Sequence, residues 1–280
     1  MSCRSILVHL DESPRCAVRV AIAARLALEH GAHLLGLAPS GLVNLPARVL
    51  PSLTGVPNYL ELAQASLNER AAALVLDFKR RVEGLGLVSF EGRVGEDDNV
   101  PALLEHARAH DLVVLGQTDR GSPSAATEPD IAELVFMQAG TPTLIVPCVG
   151  DFDSAGACVV VAWNASRESA RALRDALPLL RKARSVHLLC FERPTDLVHV
   201  SRLQLNDVRH WLGRHGIELQ LHQEPVQIDV DEALLSRSCD LGADLVVMGG
   251  YGHSRMAEFL FGGVTRRLLA QKTVPVLISH

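Results

Sequence analysis

The chain has 280 residues, of which 48% are hydrophobic and 21% charged, and its formal net charge is −5. This composition excludes an intrinsically disordered chain, and the acidic balance argues against a nucleic-acid-binding protein. At ~150 residues per domain the length suggests two domains. No stretch approaches the ~18 apolar residues of a membrane span. A strand that begins at residue 5 leaves no room for a signal peptide, so we expect a cytoplasmic protein.

Strands and helices alternate through the first half of the chain. Apolar runs and one more alternating stretch predict strands at 5–10, 33–38, 88–94, 112–116 and 142–147. Helical periodicity predicts helices at 14–30, 60–84, 99–110 and about 130–139. The segment 40–59 is rich in Pro and Gly, and we interpret it as an insertion after the second strand.

The second half repeats this order. It predicts strands at 157–163, 185–192, 218–226, 244–249 and 275–279, and helices at 167–182, 198–215, 230–241 and 255–271. Near-continuous apolar strands that alternate with helices are typical of parallel sheets covered on both faces. We therefore predict an α/β protein with two tandem doubly wound, Rossmann-like domains at 1–149 and 157–280, each a five-stranded parallel sheet with helices on both faces.

The two halves are also copies of one another in sequence. The segment 111–116 (DLVVLG) recurs at 244–249 (DLVVMG), and Pro142 aligns with Pro275, so both pairs are offset by 133 residues. Near the start of each half, Asp11 aligns with Asn164 at an offset of 153. The larger offset at the start of the halves places the insertion in the first half.

Ligands of doubly wound sheets bind at the carboxyl ends of the strands, where the strand order reverses. In this chain that point lies between the first and fourth strands of each half. The segment after the fourth strand of the second half contains glycines at strand and helix ends, which permit positive φ and close approach of the backbone to a phosphate. The candidate residues of this loop are Gly249, Gly252, His253, Ser254, Arg255, Gly262, Gly263, Val264 and Thr265.

The spacing of these glycines resembles that of the universal stress protein family. Its ATP-binding members carry Gly-x-x-Gly, then nine residues, then Gly-(Ser/Thr). Gly249, Gly252 and Gly262 match this spacing, whereas Gly263 stands where the pattern has Ser or Thr. Thr265 matches a hydroxyl residue often found two places later. The resemblance covers both halves, so the chain resembles a tandem universal stress protein.

The resemblance implies a nucleotide, ATP, as the ligand of the second half. In the family an Asp at the end of the first strand contacts the nucleotide, and a residue at the end of the second strand lies against the base. These positions fall on Asn164 and near Phe191. Because asparagine is a poorer cation ligand than aspartate, we expect a weakened dependence on Mg²⁺.

The first half has lost this loop. Gly252 corresponds to Asp119, Gly262 to Pro129 and Gly263 to Asp130. Two carboxylates would repel a phosphate, and proline lacks the N–H that a phosphate needs. The first half is therefore interpreted as a scaffold with a degenerate pocket, and the alternative is a cationic ligand held by Asp11, Asp119 and Asp130.

The last strands, 142–147 and 275–279, are short and apolar, and exposed edges invite pairing. The resemblance implies that the two domains pair through them within the chain, with pseudo-two-fold symmetry. A homodimer of tandem chains is the alternative. We predict no metal site, because His210 and His215 are five residues apart, which suits one helical face poorly, and His222 lies further on.

Three functions remain open. The first is a stress-response regulatory protein that binds ATP in its C-terminal half, in which any hydrolysis would be slow because no general base is evident. The second is a nucleotide-free interaction module of the same family, which Gly263 and Asn164 favour. The third, an enzyme acting on nucleotides, is disfavoured because the sequence lacks a P-loop.

Overall fold

The computed structural model describes residues 2–41, 59–118, 130–150, 152, 155–192, 200–250 and 274–280. By its internal contacts the chain divides into two compact units. The first contains Cys3–Thr118 and Thr127–Thr141, and the second contains Pro142–His280. Among the described helices, none combines the length and the hydropathy that crossing a membrane requires.

The sheet of the first unit contains four parallel strands in the order β3-β2-β1-β4. The strands are β1 (Ser5–His9), β2 (His33–Pro39), β3 (Phe90–Gly95) and β4 (Leu112–Gly116). The helices are α1 (Cys16–His30), α2 (Tyr59–Gly84), α3 (Asn99–Ala107) and α4 (Ile131–Ala139). Strands β1 and β4 are buried along nearly their whole length, as expected of parallel strands covered on both faces.

The sheet of the second unit has the strand order β5-β10-β9-β6-β7-β8. Its strands are β5 (Thr143–Val146), β6 (Cys158–Ala162), β7 (Ser185–Glu192), β8 (Leu219–Pro225), β9 (Leu245–Gly249) and β10 (Val276–Ser279). Its helices are α5 (Arg167–Asp175), α6 (Leu177–Leu180), α7 (Arg202–Arg214) and α8 (Val230–Asp240). Strands β6 to β10 are parallel, whereas β10 and β5 are antiparallel.

The predicted α/β architecture is confirmed, with two differences in detail. Strand β5 groups with the second unit by its contacts, and it pairs with β10. The helix predicted at 167–182 is divided at Ala176 into α5 and α6, since Pro178 cannot donate a backbone hydrogen bond to the preceding turn. The predicted helix at 255–271 lies outside the described residues, and so does most of the predicted insertion. The domain bounds at 149 and 157, and the pairing of the two domains, remain predictions.

The aspartate that opens the repeated DLVV segment has the same structural role in both units. Asp111 accepts hydrogen bonds from the backbone N–H groups of Arg4 (2.7 Å) and Ser5 (3.0 Å), where β1 begins. Asp244 likewise accepts from the backbone at the start of β6, with a distance of 2.8 Å from the nitrogen of Cys158. The repeated aspartates therefore fix the start of a neighbouring strand. They lie at the amino-terminal ends of the strands, opposite the carboxyl ends where the candidate ligand crevice lies.

Candidate functional site

The crevice of the second unit lies where its strand order reverses, between β6 and β9. Gly249 ends β9, and Asn164 follows β6 by two residues. The backbone N–H of Trp163 donates to the carbonyl of Leu189 at 2.9 Å, which continues the ladder between β6 and β7. By extension of this register Asn164 lies level with Phe191 on β7. Gly249, Asn164 and Phe191, which were predicted from the sequence, thus lie at the carboxyl ends of the adjacent strands β9, β6 and β7.

The other predicted site residues cannot be placed in this crevice from the structure. Gly252, His253, Ser254, Arg255, Gly262, Gly263, Val264 and Thr265 lie outside the described residues. Their contribution to a phosphate site therefore stays a prediction from the sequence.

A tight turn holds the side chain of Asn164. Its Oδ1 atom accepts a hydrogen bond from the backbone N–H of Ser166 at 3.1 Å. Between them Ala165 has φ 57°, which is the left-handed region that non-glycine residues seldom adopt. Ser166 then caps α5, because its hydroxyl oxygen accepts from the N–H of Ser169. The turn leaves Asn164 exposed at the end of β6.

Gly249 is required for packing. Its φ is not in the positive range, in contrast to one reason that the sequence suggested for a glycine here. A Cβ added to Gly249 would lie 2.4 Å from the carbonyl carbon of Glu168 and 2.6 Å from the nitrogen of Ser169. The end of β9 therefore approaches the first turn of α5 more closely than any side chain would allow. Close approach of this backbone to a ligand remains a prediction.

In the first unit the equivalent residue, Asp11, is engaged by its own chain. Its Oδ1 atom accepts from the backbone N–H of Ser13 at 3.0 Å and from the Ser13 hydroxyl at 2.6 Å, the same kind of turn as at Asn164. The same carboxylate forms an ion pair with Nη2 of Arg19 at 2.9 Å. Arg19 also donates from Nε to the carbonyl of His9 at 2.8 Å, and it is only 1% exposed.

The pKa values in this cluster follow from burial and from the positive charge of Arg19. Burial pushes the pKa of Asp11 upward, but the Arg19 guanidinium, helped by His9 and Ser13, holds it well below its usual range. Burial lowers the pKa of His9, the Asp11 carboxylate opposes this effect and the Arg19 charge adds to it, and the net pKa is about 4. His9 is therefore neutral at pH 7, and the charges of Asp11 and Arg19 balance.

The cation-binding alternative for the first half loses its main support. Asp11 is neutralised by Arg19, and Asp130 is the N-cap of α4, where it accepts from the N–H of Glu133 at 3.2 Å. Asp119 and Pro129 lie outside the described residues. Asp11 and Asp130 thus both interact with groups of their own unit.

Two groupings of polar side chains were not predicted from the sequence. Arg19 lies on the buried face of α1, four residues before Ala23 and seven before Leu26, so its helical position was a signal for burial. His187 on β7 lies 3.2 Å from His222 on β8, between Nδ1 and Nε2. His222 therefore pairs across strands and not with His210 or His215. Within the described residues no three His, Cys, Asp or Glu side chains are grouped to hold a metal.

The fold defines a tandem Rossmann-like protein. Each unit has one point at which the strand order reverses, between β1 and β4 or between β6 and β9, and this point is called the switch point below. The family model of the universal stress protein family matches the chain twice, at residues 3–147 and 158–280. The chain belongs to the universal stress protein family, as the glycine spacing indicated.

Solved structures agree with this fold. A universal stress protein from Archaeoglobus fulgidus DSM 4304 is similar with a TM-score of 0.75 and 18% identity, over 99% of this chain and 96% of that chain. A functionally unknown protein from Pseudomonas aeruginosa PAO1 is similar with a TM-score of 0.56 and 17% identity, over 99% and 92%. A comparison with curated protein sequences gave no match.

Proposed function

We propose that the chain is a stress-response regulatory protein whose second unit binds ATP at the carboxyl ends of β6, β7 and β9. The observation that supports this most is the position of Asn164, Phe191 and Gly249 on three adjacent strands, at the point where strand order reverses. Ligands of open α/β sheets bind at such points. Membership of the universal stress protein family agrees with a role in stress response.

The residues of the proposed site have different roles in binding ATP. Phe191 offers an aromatic ring for the base to pack against, and Asn164 offers an amide that both donates and accepts hydrogen bonds to a base or ribose. The glycines at 252, 262 and 263 would present backbone N–H groups to the phosphates. Asn164 can bind the base or ribose without rearrangement of its backbone, because the turn that holds it is already formed with Ser166.

The proposed site should gain a dependence on Mg²⁺ when Asn164 is replaced by Asp. The turn tolerates this change, since Asp11 forms the same turn with Ser13 in the first unit. A carboxylate is a better Mg²⁺ ligand than an amide, whereas without the metal it repels the phosphates. We expect the ratio of ATP affinities with and without Mg²⁺ to rise about tenfold in Asn164→Asp, measured by calorimetry. An unchanged ratio would place Asn164 away from the phosphates.

The proposed function is tested by identifying the small molecules that co-purify with the protein. Protein purified without added nucleotide is denatured, and the released small molecules are identified by mass spectrometry. The variant Gly252→Asp, which copies the residue at 119 in the first half, is analysed in parallel. We expect a nucleotide from the wild type and none from the variant. A nucleotide released equally by both proteins would place it elsewhere than in the glycine loop.

A nucleotide-free interaction module is the second candidate. Gly263 replaces the hydroxyl residue of the ATP-binding pattern, and Asn164 replaces its aspartate. Under this alternative the purified protein releases no nucleotide and ATP gives no heat on titration, with or without Mg²⁺.

A further inference from the structure

The carboxyl ends of β1 and β4 in the first unit are covered by one buried guanidinium. Arg19 reaches this position from α1 and is among the largest fully buried side chains of the described residues. Its Nε donates to the carbonyl of His9, the last residue of β1, and its Nη2 lies 2.9 Å from the Asp11 carboxylate. Both contacts use oxygens at the end of β1.

The guanidinium also fills the space above the end of β4. A Cβ added to Gly116, the last residue of β4, would lie 2.2 Å from Nη1 of Arg19. Arg19 therefore lies between β1 and β4, at the switch point where a ligand of this fold would enter. The glycine at 116 gives the guanidinium its room, much as Gly249 gives room to the backbone of α5.

The charges of Arg19 and Asp11 balance each other. Among the residues that the structure describes, Asp11 is the carboxylate that faces the guanidinium, while His9, at 3% exposure, is held neutral by burial. An anion that drew Arg19 away from Asp11 would break an ion pair whose arginine is buried and whose carboxylate is 33% exposed, which is unfavourable.

The second unit lacks this arrangement at every equivalent position. Arg19 corresponds to Ala172, which is fully buried on α5, and His9 corresponds to Ala162 on β6. Asp11 corresponds to the uncharged Asn164. At the positions equivalent to 9, 11 and 19 the second unit thus has neither the cation nor the carboxylate. Its Arg167–Glu168 ion pair lies instead on the first turn of α5, where Arg167 is exposed to solvent.

We infer that the switch-point crevice of the first unit is a guanidinium-binding site that the chain fills with its own Arg19, and that this contact closes the first unit to nucleotides. The site holds the guanidinium by one hydrogen bond, from Nε to the His9 carbonyl, and by its charge attraction to the Asp11 carboxylate. This inference concerns the first unit alone and does not depend on ATP binding by the second.

Chemical rescue tests the inference. In Arg19→Ala, loss of the buried guanidinium with its ion pair and hydrogen bond should lower the unfolding midpoint by on the order of 10 °C. Guanidinium chloride at roughly 20 mM, far below its denaturing range, should restore about half of this loss, whereas NaCl at equal ionic strength should not. Arg80→Ala, which removes a 68% exposed arginine of α2, should show neither the loss nor the rescue.

Further variants separate specific rescue from a general effect of the salt. Arg19→Ala combined with Asp11→Asn should lose the guanidinium effect, because the carboxylate that holds the cation is gone. A folded Arg19→Ala protein with no specific response to guanidinium would overturn the inference. If Arg19→Ala does not fold, recovery of the native circular dichroism spectrum on refolding with guanidinium supports the inference. In that case, failure of both Arg19→Ala and Arg19→Gln to refold with guanidinium would overturn it.

Discussion

Gly249→Ala should lower the free energy of unfolding of the second unit by about 3 kcal/mol. The added methyl group would lie within 2.4 Å of the Glu168 carbonyl carbon. The atoms that it meets are backbone atoms of α5 and the Cβ atom of Glu168, none of which moves on side-chain rotation, so the overlap cannot be relieved in that way. The helix or the end of β9 must move, which disturbs the crevice between β6 and β9. Urea unfolding of the wild type and the variant, followed by circular dichroism, measures the difference.

Gly213→Ala is the matched control for this prediction. Gly213 lies in α7, and a Cβ added to it meets no heavy atom within 4 Å. Alanine costs less conformational entropy than glycine in a helix, so this variant should be more stable than the wild type by about 0.5–1 kcal/mol. Equal effects of the two substitutions would show that β9 and α5 are not in close contact.

The second large effect is a loss of stability on acidification, caused by His9. Its pKa is about 4 in the folded protein and 6.5 ordinarily. Between these values the unfolded chain binds a proton that the folded chain does not. Stability therefore falls as the pH is lowered from 6.5 to about 4, by up to about 3 kcal/mol. Below that range Asp11 contributes a further loss, since its pKa is depressed by Arg19.

His9→Gln isolates the contribution of this imidazole. Glutamine keeps a polar side chain and does not titrate. The difference in unfolding free energy between the wild type and His9→Gln should therefore shrink as the pH is lowered from 7 to 4.5, because only the wild type loses the His9 contribution. Urea unfolding at each pH measures it. A difference that stays constant over this range would mean that His9 titrates equally in the folded and unfolded states.

Hydrophobic patterning was sufficient to predict the strands and the α/β class. Parallel strands buried on both faces read as continuous apolar runs, as in β4 and β9. The same reasoning placed Asn164, Phe191 and Gly249 at strand ends before their mutual arrangement was known. Periodicity did not predict the division of the helix at Ala176, although Pro178 was visible in the sequence.

The contacts that the sequence analysis missed depend on tertiary structure. Arg19 is buried where the end of β1 brings the His9 carbonyl and the Asp11 carboxylate within its reach and Gly116 at the end of β4 leaves room for it, and this arrangement is a property of the folded sheet. Likewise His187 meets His222 through the register of β7 and β8. The small size of Gly249 was predicted to matter, but the atoms that require it belong to α5 and are distant in sequence.

The proposed function is tested most directly by a calorimetric titration of the full chain with ATP, after any co-purified nucleotide has been removed, in the presence and absence of Mg²⁺. We predict one ATP bound per chain in the wild type and no binding to Gly252→Asp. A stoichiometry of one is expected because the second unit carries the candidate glycine loop, while Arg19 fills the crevice of the first. Absence of binding under both conditions would contradict the proposed function, and two ATP molecules per chain would contradict the closure of the first unit.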